Sequence, residues 1–148
     1  MKAEDVYWEK DFTLNGETVG EALDQKTLKG KPFVMYWGCI NCGRCAVQVD
    51  DFDRMSKSLK KKGIPVVAVQ STDVTDDAVK AHIKEHRLAV PYFPTNKRVS
   101  LKNSKPELMQ LFKGIPRYII IDGDGKVSSY YNNTSDAKRA VEKLAKGK

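Results

Sequence analysis

Cysteine and histidine are scarce in this chain of 148 residues, which has three cysteines and two histidines. A disulfide framework that holds a small fold together needs a larger and even number of cysteines, so a hydrophobic core must stabilise this chain. Its length and its 41% of hydrophobic residues are enough for one such core, and we expect a single domain over residues 1–148. No apolar run approaches the ~20 residues that span a bilayer. The first residues lack the apolar stretch of a secretory signal, which is equally compatible with a mature form whose leader has been removed.

Acidic residues are outnumbered, since 19 of them stand against 26 lysines and arginines and leave a net charge of +7. Such an excess can favour nucleic acids or anionic surfaces. The basic residues are scattered, however, and the densest run, at residues 60–62, falls where a helix is expected to end and where cations complement the helix dipole. We therefore interpret the charge as a solvated surface and expect no nucleic-acid partner.

The apolar patterns predict an α/β fold. Continuous apolar runs at residues 33–37 and 65–69 are typical of strands buried on both faces. Between them, apolar residues recur at helical spacing after Cys45 and stop before Gly63, a residue type favoured just past the end of a helix. Parallel strands need such a crossover helix, so we expect these two strands to be parallel.

The rest of the chain completes a mixed sheet. Thr75 can cap a second helix, and the later segments predict a short helix around residues 107–112, a hairpin over 118–131 and a closing helix over 134–146. Residues 11–19 predict a further hairpin that turns at Asn15-Gly16. The predicted architecture has three layers, with a central mixed sheet and an N-terminal β-hairpin extension.

All three cysteines fall within seven residues, Cys39-Ile40-Asn41-Cys42-Gly43-Arg44-Cys45, directly after the first buried strand. A cysteine at the start of a helix meets unsatisfied backbone N–H groups and the positive end of the dipole, which stabilise its thiolate. A second cysteine one turn further on can close a reducible disulfide with it and exchange that disulfide with another protein. Cys39 with Cys42 and Cys42 with Cys45 are both suitable pairs, and Cys42 belongs to each.

The same cluster does not match a metal site. A structural zinc site needs a fourth ligand, for which His82 and His86 are the histidines available, and we expect these to be partly exposed helix residues. An iron–sulfur pattern fails because Val49 stands at the position of its fourth cysteine. We expect no metal and no other cofactor.

Three segments in order carry a family resemblance: Asp11-Phe12-Thr13-Leu14, Leu28-Lys29-Gly30-Lys31-Pro32, and the apolar strand that leads to Cys42-Gly43-Arg44-Cys45. With them the chain resembles the bacterial redoxin-type thiol–disulfide oxidoreductases of the TlpA/ResA kind, which typically read Asp-Phe-x-Leu, Gly-Lys-Pro, an apolar strand and Cys-x-x-Cys. Nine residues separate Pro32 from Cys42, as in that family. The resemblance implies a thioredoxin fold with Cys42 and Cys45 as the catalytic pair, and it leaves Cys39 as an extra cysteine with a candidate redox role.

The resemblance extends to Gly114-Ile115-Pro116 before the later hairpin. In thioredoxin-like proteins this proline is cis and packs beside the disulfide, which implies a substrate groove that contains Ile115 and Pro116. Arg44, between the paired cysteines, is a further candidate for this groove, and its charge can stabilise a Cys42 thiolate. The chain departs from the family at Asn41, where tryptophan is usual, and at Asp50, where proline is usual.

Together these features predict a protein disulfide oxidoreductase. The sequence does not give the direction of electron flow, and we favour reduction of substrate disulfides over their formation. By resemblance the protein is bacterial and extracytoplasmic, in the periplasm or facing a membrane, and we expect a monomer. It would act on protein thiols or disulfides, such as those of apocytochrome c, and draw electrons from an upstream thiol reductant. One alternative is a redox-inactive thioredoxin-fold module that binds partner chains near Pro116. Another is a peroxiredoxin-like peroxidase, whose Pro-x-x-x-Thr/Ser-x-x-Cys signature fits Pro32 and Cys39 but finds Tyr36 in place of the threonine or serine.

Overall fold

The computed structural model describes residues 12–14, 18–21, 28, 30–40, 42–71, 74–94, 99–101, 115–125 and 127–146, and of residues 12–14, 44 and 99–101 it describes the backbone. The elements in chain order are β1 (Phe12–Leu14), β2 (Val19–Gly20), β3 (Phe33–Gly38), α1 (Gly43–Lys61), β4 (Val66–Gln70), α2 (Asp76–His86), β5 (Pro91–Phe93), β6 (Val99–Leu101), β7 (Arg117–Ile121), β8 (Val127–Tyr131) and α3 (Thr134–Lys146).

Six strands form a mixed sheet in the order β2-β5-β4-β3-β7-β8. β3 pairs in parallel with β4 and antiparallel with β7, and β7 pairs antiparallel with β8. These pairings confirm the parallel first half and the antiparallel later hairpin. Because β3 lies in the middle of the sheet and is buried along its whole length, its sequence is continuously apolar. The cysteine cluster begins where this central strand ends.

The predicted N-terminal hairpin is wrong. Both of its strands exist, but β1 pairs with β6 and β2 pairs with β5, at the edge of the main sheet. Their partners lie far along the chain, which a local alternation of apolar residues cannot indicate. The turn expected at Asn15-Gly16 and the short helix expected around residues 107–112 lie outside the described residues.

Alternate residues of β3 contribute to two buried clusters on opposite faces of the sheet. Val34 and Tyr36 belong to a cluster that includes side chains of α1, α2 and α3. Met35 and Trp37 belong to the other, which Leu28 joins from outside the sheet. Both faces are thereby buried, as a layered α/β fold requires.

The helix ends form as their sequences predict. At the end of α1, Gly63 has a φ of 75°, and the N–H of Ile64 donates to the Leu59 carbonyl at 2.9 Å, a pattern that closes many helices. At the start of α2, the Thr75 hydroxyl accepts a hydrogen bond from the Ala78 N–H at 3.1 Å. Among the helices described, we find none with the length and apolarity needed to cross a bilayer.

Candidate active site

Cys42 is the N-cap residue of α1. Its φ of −101° and ψ of 133° are extended, and its carbonyl accepts the first helical hydrogen bond from the Ala46 N–H at 3.0 Å. The side chain is half-buried. The helix itself leaves its first-turn N–H groups unsatisfied, and the positive end of its dipole lies at this residue. The Cys42 sulfur makes no capping hydrogen bond with those groups in this structure. Cys42 therefore occupies the place that favours a thiolate.

Cys45 lies in the first turn of α1 and is only 4% exposed. Burial raises the pKa of its thiol, and the neighbouring Cys42 raises it further, whereas hydrogen bonds from the Tyr36 hydroxyl and the Cys39 backbone partly offset the increase. The Cys42 and Cys45 side chains form a hydrogen bond with each other, and none of the three cysteines is in a disulfide. The half-buried sulfur of Cys42 therefore contacts the buried sulfur of Cys45.

Tyr36 reaches Cys45 from β3 by lying over Gly38. A Cβ at Gly38 would be 2.6 Å from Tyr36 Cε2 and closer still to Cζ and Oη, so glycine is what leaves room for the ring. The ring packs against Phe52 and Tyr118, with centroid distances of 4.5 and 5.3 Å. Burial raises the pKa of Tyr36 far above its usual range, and the nearby Cys45 adds to this increase. The hydroxyl therefore stays protonated and can donate to the Cys45 sulfur.

Sequence reasoning did not find this role for Tyr36. The available signal is the Tyr-x-Gly pattern at the end of β3, because residues i and i+2 of a strand share a face. A glycine two residues after a tyrosine lets the aromatic ring lie along the strand toward the segment that follows, which here is the cysteine cluster.

Cys39 follows β3 directly and is 7% exposed. Its sulfur accepts a hydrogen bond from Gln70 Nε2 at 3.1 Å. Gln70 Oε1 accepts from the Ile40 N–H at 3.1 Å and from the Tyr92 hydroxyl at 3.4 Å. Gln70 is fully buried at the end of β4, paired with Gly38. This network ties the segment between β3 and α1 to the neighbouring strand. The sequence signal for it is the single polar residue that ends an apolar run, because a buried amide needs hydrogen-bond partners.

Ile115 and Pro116 precede β7 at the same edge of the sheet. Trp37 pairs with Arg117, so Pro116 continues the register beside Gly38. The Ile115–Pro116 peptide bond is cis, which confirms the prediction from the resemblance. Both residues line a depression of about 300 Å³ together with Val47, Gln48 and Asn132. Val47 is 83% exposed, so the depression has an apolar wall open to solvent.

The remaining predicted site residues are placed as follows. Arg44 lies in the first turn of α1, and its predicted contribution to the groove concerns a side chain outside the described part of the chain. His82 and His86 are partly exposed on α2, as expected, with ring centroids 4.7 Å apart. Across the ranges that the structure describes, no three metal-ligating side chains form a group that could hold an ion.

Comparisons with known proteins bear on the fold. The family model described as Redoxin matches residues 8–146. A thiol:disulfide interchange protein of the thioredoxin family from Chlorobium tepidum is similar with a TM-score of 0.70 at 21% identity, over 96% of this chain and 99% of that one. A DsbF homologue from Corynebacterium diphtheriae has a TM-score of 0.74 at 14% identity, over 96% and 92%.

A secreted Mycobacterium tuberculosis disulfide oxidoreductase homologous to E. coli DsbE has a TM-score of 0.61 at 16% identity, over 86% of this chain and 93% of that one. No curated protein matches the chain by sequence. The structural similarities confirm a thioredoxin-like α/β fold with a mixed sheet of six strands.

Proposed function

Because the chain belongs to the redoxin family, we propose that it is a thiol–disulfide oxidoreductase that reduces disulfides in protein substrates through Cys42 and Cys45. One observation carries the proposal. A half-buried sulfur at the N-cap of α1 contacts a buried sulfur in the first turn, and burial raises the pKa of the second thiol. This asymmetry suits a pair in which one cysteine attacks and the other resolves.

In the first step the Cys42 thiolate attacks one sulfur of a substrate disulfide. The substrate S–S bond breaks, its other sulfur leaves as a thiolate and takes up a proton, and a mixed disulfide joins Cys42 to the substrate. In the second step Cys45 loses its proton and attacks the Cys42 sulfur. The mixed disulfide breaks, the substrate leaves with two thiols, and two electrons have passed from the protein to the substrate. An external thiol reductant then reduces the Cys42–Cys45 disulfide.

The surroundings of Cys45 support the second step. Burial disfavours the Cys45 thiolate, which keeps this thiol protonated until it is needed. The Tyr36 hydroxyl and the Cys39 N–H, whose nitrogen lies 3.3 Å from the Cys45 sulfur, both donate to that sulfur. These donors stabilise the negative charge that appears on Cys45 when it loses its proton, before it attacks.

The substrate chain would lie in the depression lined by Ile115 and Pro116, where Val47 offers exposed apolar surface. Arg44 stays a candidate for this groove from the sequence alone, because it stands between the two paired cysteines. We further propose that the protein is a monomer. By resemblance, we propose that it acts outside the cytoplasm on apocytochrome c or other exported thiol proteins and takes electrons from an upstream thiol reductant. The secreted mycobacterial relative supports this location.

The peroxidase alternative has less support from the geometry. Its signature makes Cys39 the reactive cysteine and Tyr36 the hydroxyl that activates it. The Tyr36 hydroxyl instead bonds the Cys45 sulfur, while the Cys39 sulfur is buried and accepts from Gln70.

Reduction of insulin disulfides by the protein, with dithiothreitol as the source of electrons, tests the proposal. Cys42→Ser should abolish catalysis. Cys45→Ser, reduced beforehand and incubated with insulin without dithiothreitol, should accumulate a mixed disulfide between Cys42 and insulin because the resolving cysteine is gone. Cys39→Ser is the matched control, since it makes the same change in the same cluster, and it should keep most of the activity. If Cys42→Ser keeps most activity while Cys39→Ser loses it, Cys39 is the nucleophile and the proposed assignment is wrong.

A further inference from the structure

Cys45 lies within reach of two other cysteines. Its sulfur is 3.3 Å from the backbone nitrogen of Cys39, and its side chain also contacts that of Cys42. A cysteine's own nitrogen and sulfur are at most about 4 Å apart, so the Cys39 and Cys45 sulfurs are within about 7 Å of each other. A change of χ1 rotamer moves a sulfur by about 3 Å, so bridging requires both side chains to rotate toward each other.

The surroundings of Cys39 provide a second, independent observation. Gln70 is 0% exposed in an otherwise apolar strand, and it directs its amide N–H at the Cys39 sulfur from 3.1 Å. A buried cysteine that only fills space needs no such donor, and burying an amide is costly unless it is fully hydrogen-bonded. The Tyr92 hydroxyl bonds the same glutamine, and both Cys45 and Cys39 add to the increase in the Tyr92 pKa that burial causes. The two sulfurs therefore lie near one buried polar network.

From this arrangement we propose that Cys39 is a second disulfide partner of Cys45, so that the oxidised protein can transfer its disulfide from Cys42–Cys45 to a buried Cys39–Cys45 bridge. This proposal rests on the proposed function, because the reductase reaction supplies the Cys42–Cys45 disulfide that is transferred. The structure thus assigns a redox role to the cysteine that the reductase mechanism leaves unused.

The transfer is an internal thiol–disulfide exchange. The Cys39 thiolate attacks the Cys45 sulfur, the Cys42–Cys45 bond breaks, and a Cys39–Cys45 bond forms. Cys42 leaves as a thiolate at the N-terminus of α1 and takes up the proton that Cys39 gave up, so no oxidant or reductant is consumed. A thiol that favours its anion leaves faster, and the N-cap position of Cys42 provides this.

The consequence is an oxidised protein that regains an accessible nucleophile. With the disulfide held between two buried cysteines, 7% and 4% exposed, Cys42 can attack another substrate disulfide. A protein with only the Cys42–Cys45 pair has no such thiol once it is oxidised. The buried Cys39–Cys45 disulfide therefore leaves Cys42 as the thiol that rearrangement of substrate disulfides requires.

The decisive experiment uses the Cys42→Ser variant, in which the only cysteines are Cys39 and Cys45. Serine is a favoured N-cap residue, so α1 should be preserved. Treatment with oxidised glutathione should convert the two thiols into an intramolecular Cys39–Cys45 disulfide and release two molecules of reduced glutathione, as mapped by mass spectrometry of non-reduced peptides. The double variant Cys39→Ser/Cys42→Ser is the control and should yield only a glutathione adduct. Adding Gln70→Leu to Cys42→Ser should slow bridge formation several-fold.

Only glutathione adducts or intermolecular dimers from a folded Cys42→Ser protein would overturn the inference, with far-ultraviolet circular dichroism as the check on folding. The Cys39→Ser variant tests the proposed function separately. If it reduces insulin while Cys42→Ser forms no bridge, only the further inference fails. If it neither reduces insulin nor forms a disulfide, while Cys42→Ser forms the bridge, the proposed reductase pair fails and Cys39–Cys45 is the redox couple of the chain.

Discussion

Gly38→Ala tests the arrangement around Cys45. The added Cβ would lie 2.6 Å from Tyr36 Cε2, whereas non-bonded carbons prefer about 3.5–4.0 Å, so the ring must move by about 1 Å. It has little room, because Tyr36 is 6% exposed and packs against both Phe52 and Tyr118. Overpacking costs about 1–3 kcal/mol and the lost hydrogen bond to Cys45 about 1 kcal/mol. We expect the free energy of unfolding of the reduced protein to fall by about 2–4 kcal/mol in urea titrations.

Two comparisons make this prediction specific. Gly43→Ala is the control, because a Cβ at Gly43 meets nothing within 4 Å, and it should leave stability unchanged or slightly higher. In a Tyr36→Leu background the ring is gone, so the cost of Gly38→Ala should drop by more than about 1 kcal/mol, the coupling expected of residues in contact. An equal cost in both backgrounds, or no cost in either, would refute the reasoning.

Three further predictions concern the reactivity, stability and substrate contacts of the site. In Cys39→Ser at neutral pH, iodoacetamide should modify Cys42 faster than Cys45, because Cys42 is more exposed and burial raises the Cys45 pKa; faster labelling of Cys45 in peptide maps would contradict this. Because the folded-state pKa of Cys45 is raised, the unfolded chain loses this proton at a lower pH than the folded protein does. The contribution of Cys45 to the free energy of unfolding should therefore be complete below the ordinary thiol pKa of about 8.5 and decrease as the pH rises toward the folded-state value. Cys45→Ala should show a smaller loss in urea titrations over that interval, and an identical loss would argue against the raised pKa. Val47→Asp should lower kcat/KM for an apolar disulfide-containing peptide several-fold, whereas Ala46→Asp, exposed on the same turn but outside the depression, should not; equal losses would exclude the depression as the substrate groove.

The buried strands and the helices could be predicted because each carries its own periodicity. β3 is apolar throughout because it lies in the middle of the sheet, and α1 buries Phe52, Met55 and Leu59 at helical spacing. Gly63 and Thr75 mark helix boundaries through local backbone chemistry. Each of these signals resides in a few neighbouring residues, so no knowledge of the tertiary structure is needed.

Strand partners could not be predicted in the same way. β1 and β2 are close in sequence and suggest a hairpin, yet each pairs with a strand from the second half of the chain. Those partners, β6 and β5, are three residues long, and β5 begins with a proline. Such short strands carry too little alternation to identify, and pairing is decided by contacts between distant segments.

The candidate site was partly predictable for a similar reason. The position of Cys42 at a helix start follows from the strand before it and the helix after it, and the cis bond at Pro116 follows from the resemblance. The contacts of Tyr36 and Gln70 with the cysteines depend on side-chain directions across β3 and β4. A Tyr-x-Gly pattern and a polar residue in a buried strand indicate that these side chains need hydrogen-bond partners. They do not identify which residues those partners are.

The redox titration of Cys39→Ser against glutathione buffers tests the central claim most directly. With Cys39 removed, Cys42 and Cys45 are the only cysteines, so any intramolecular couple belongs to them. We predict a reversible two-electron transition in which both thiols disappear together, and peptide mapping of the oxidised form should show one Cys42–Cys45 disulfide. A variant that stays folded but forms only glutathione adducts, with no reversible couple, would contradict the claim that these two cysteines are a redox pair.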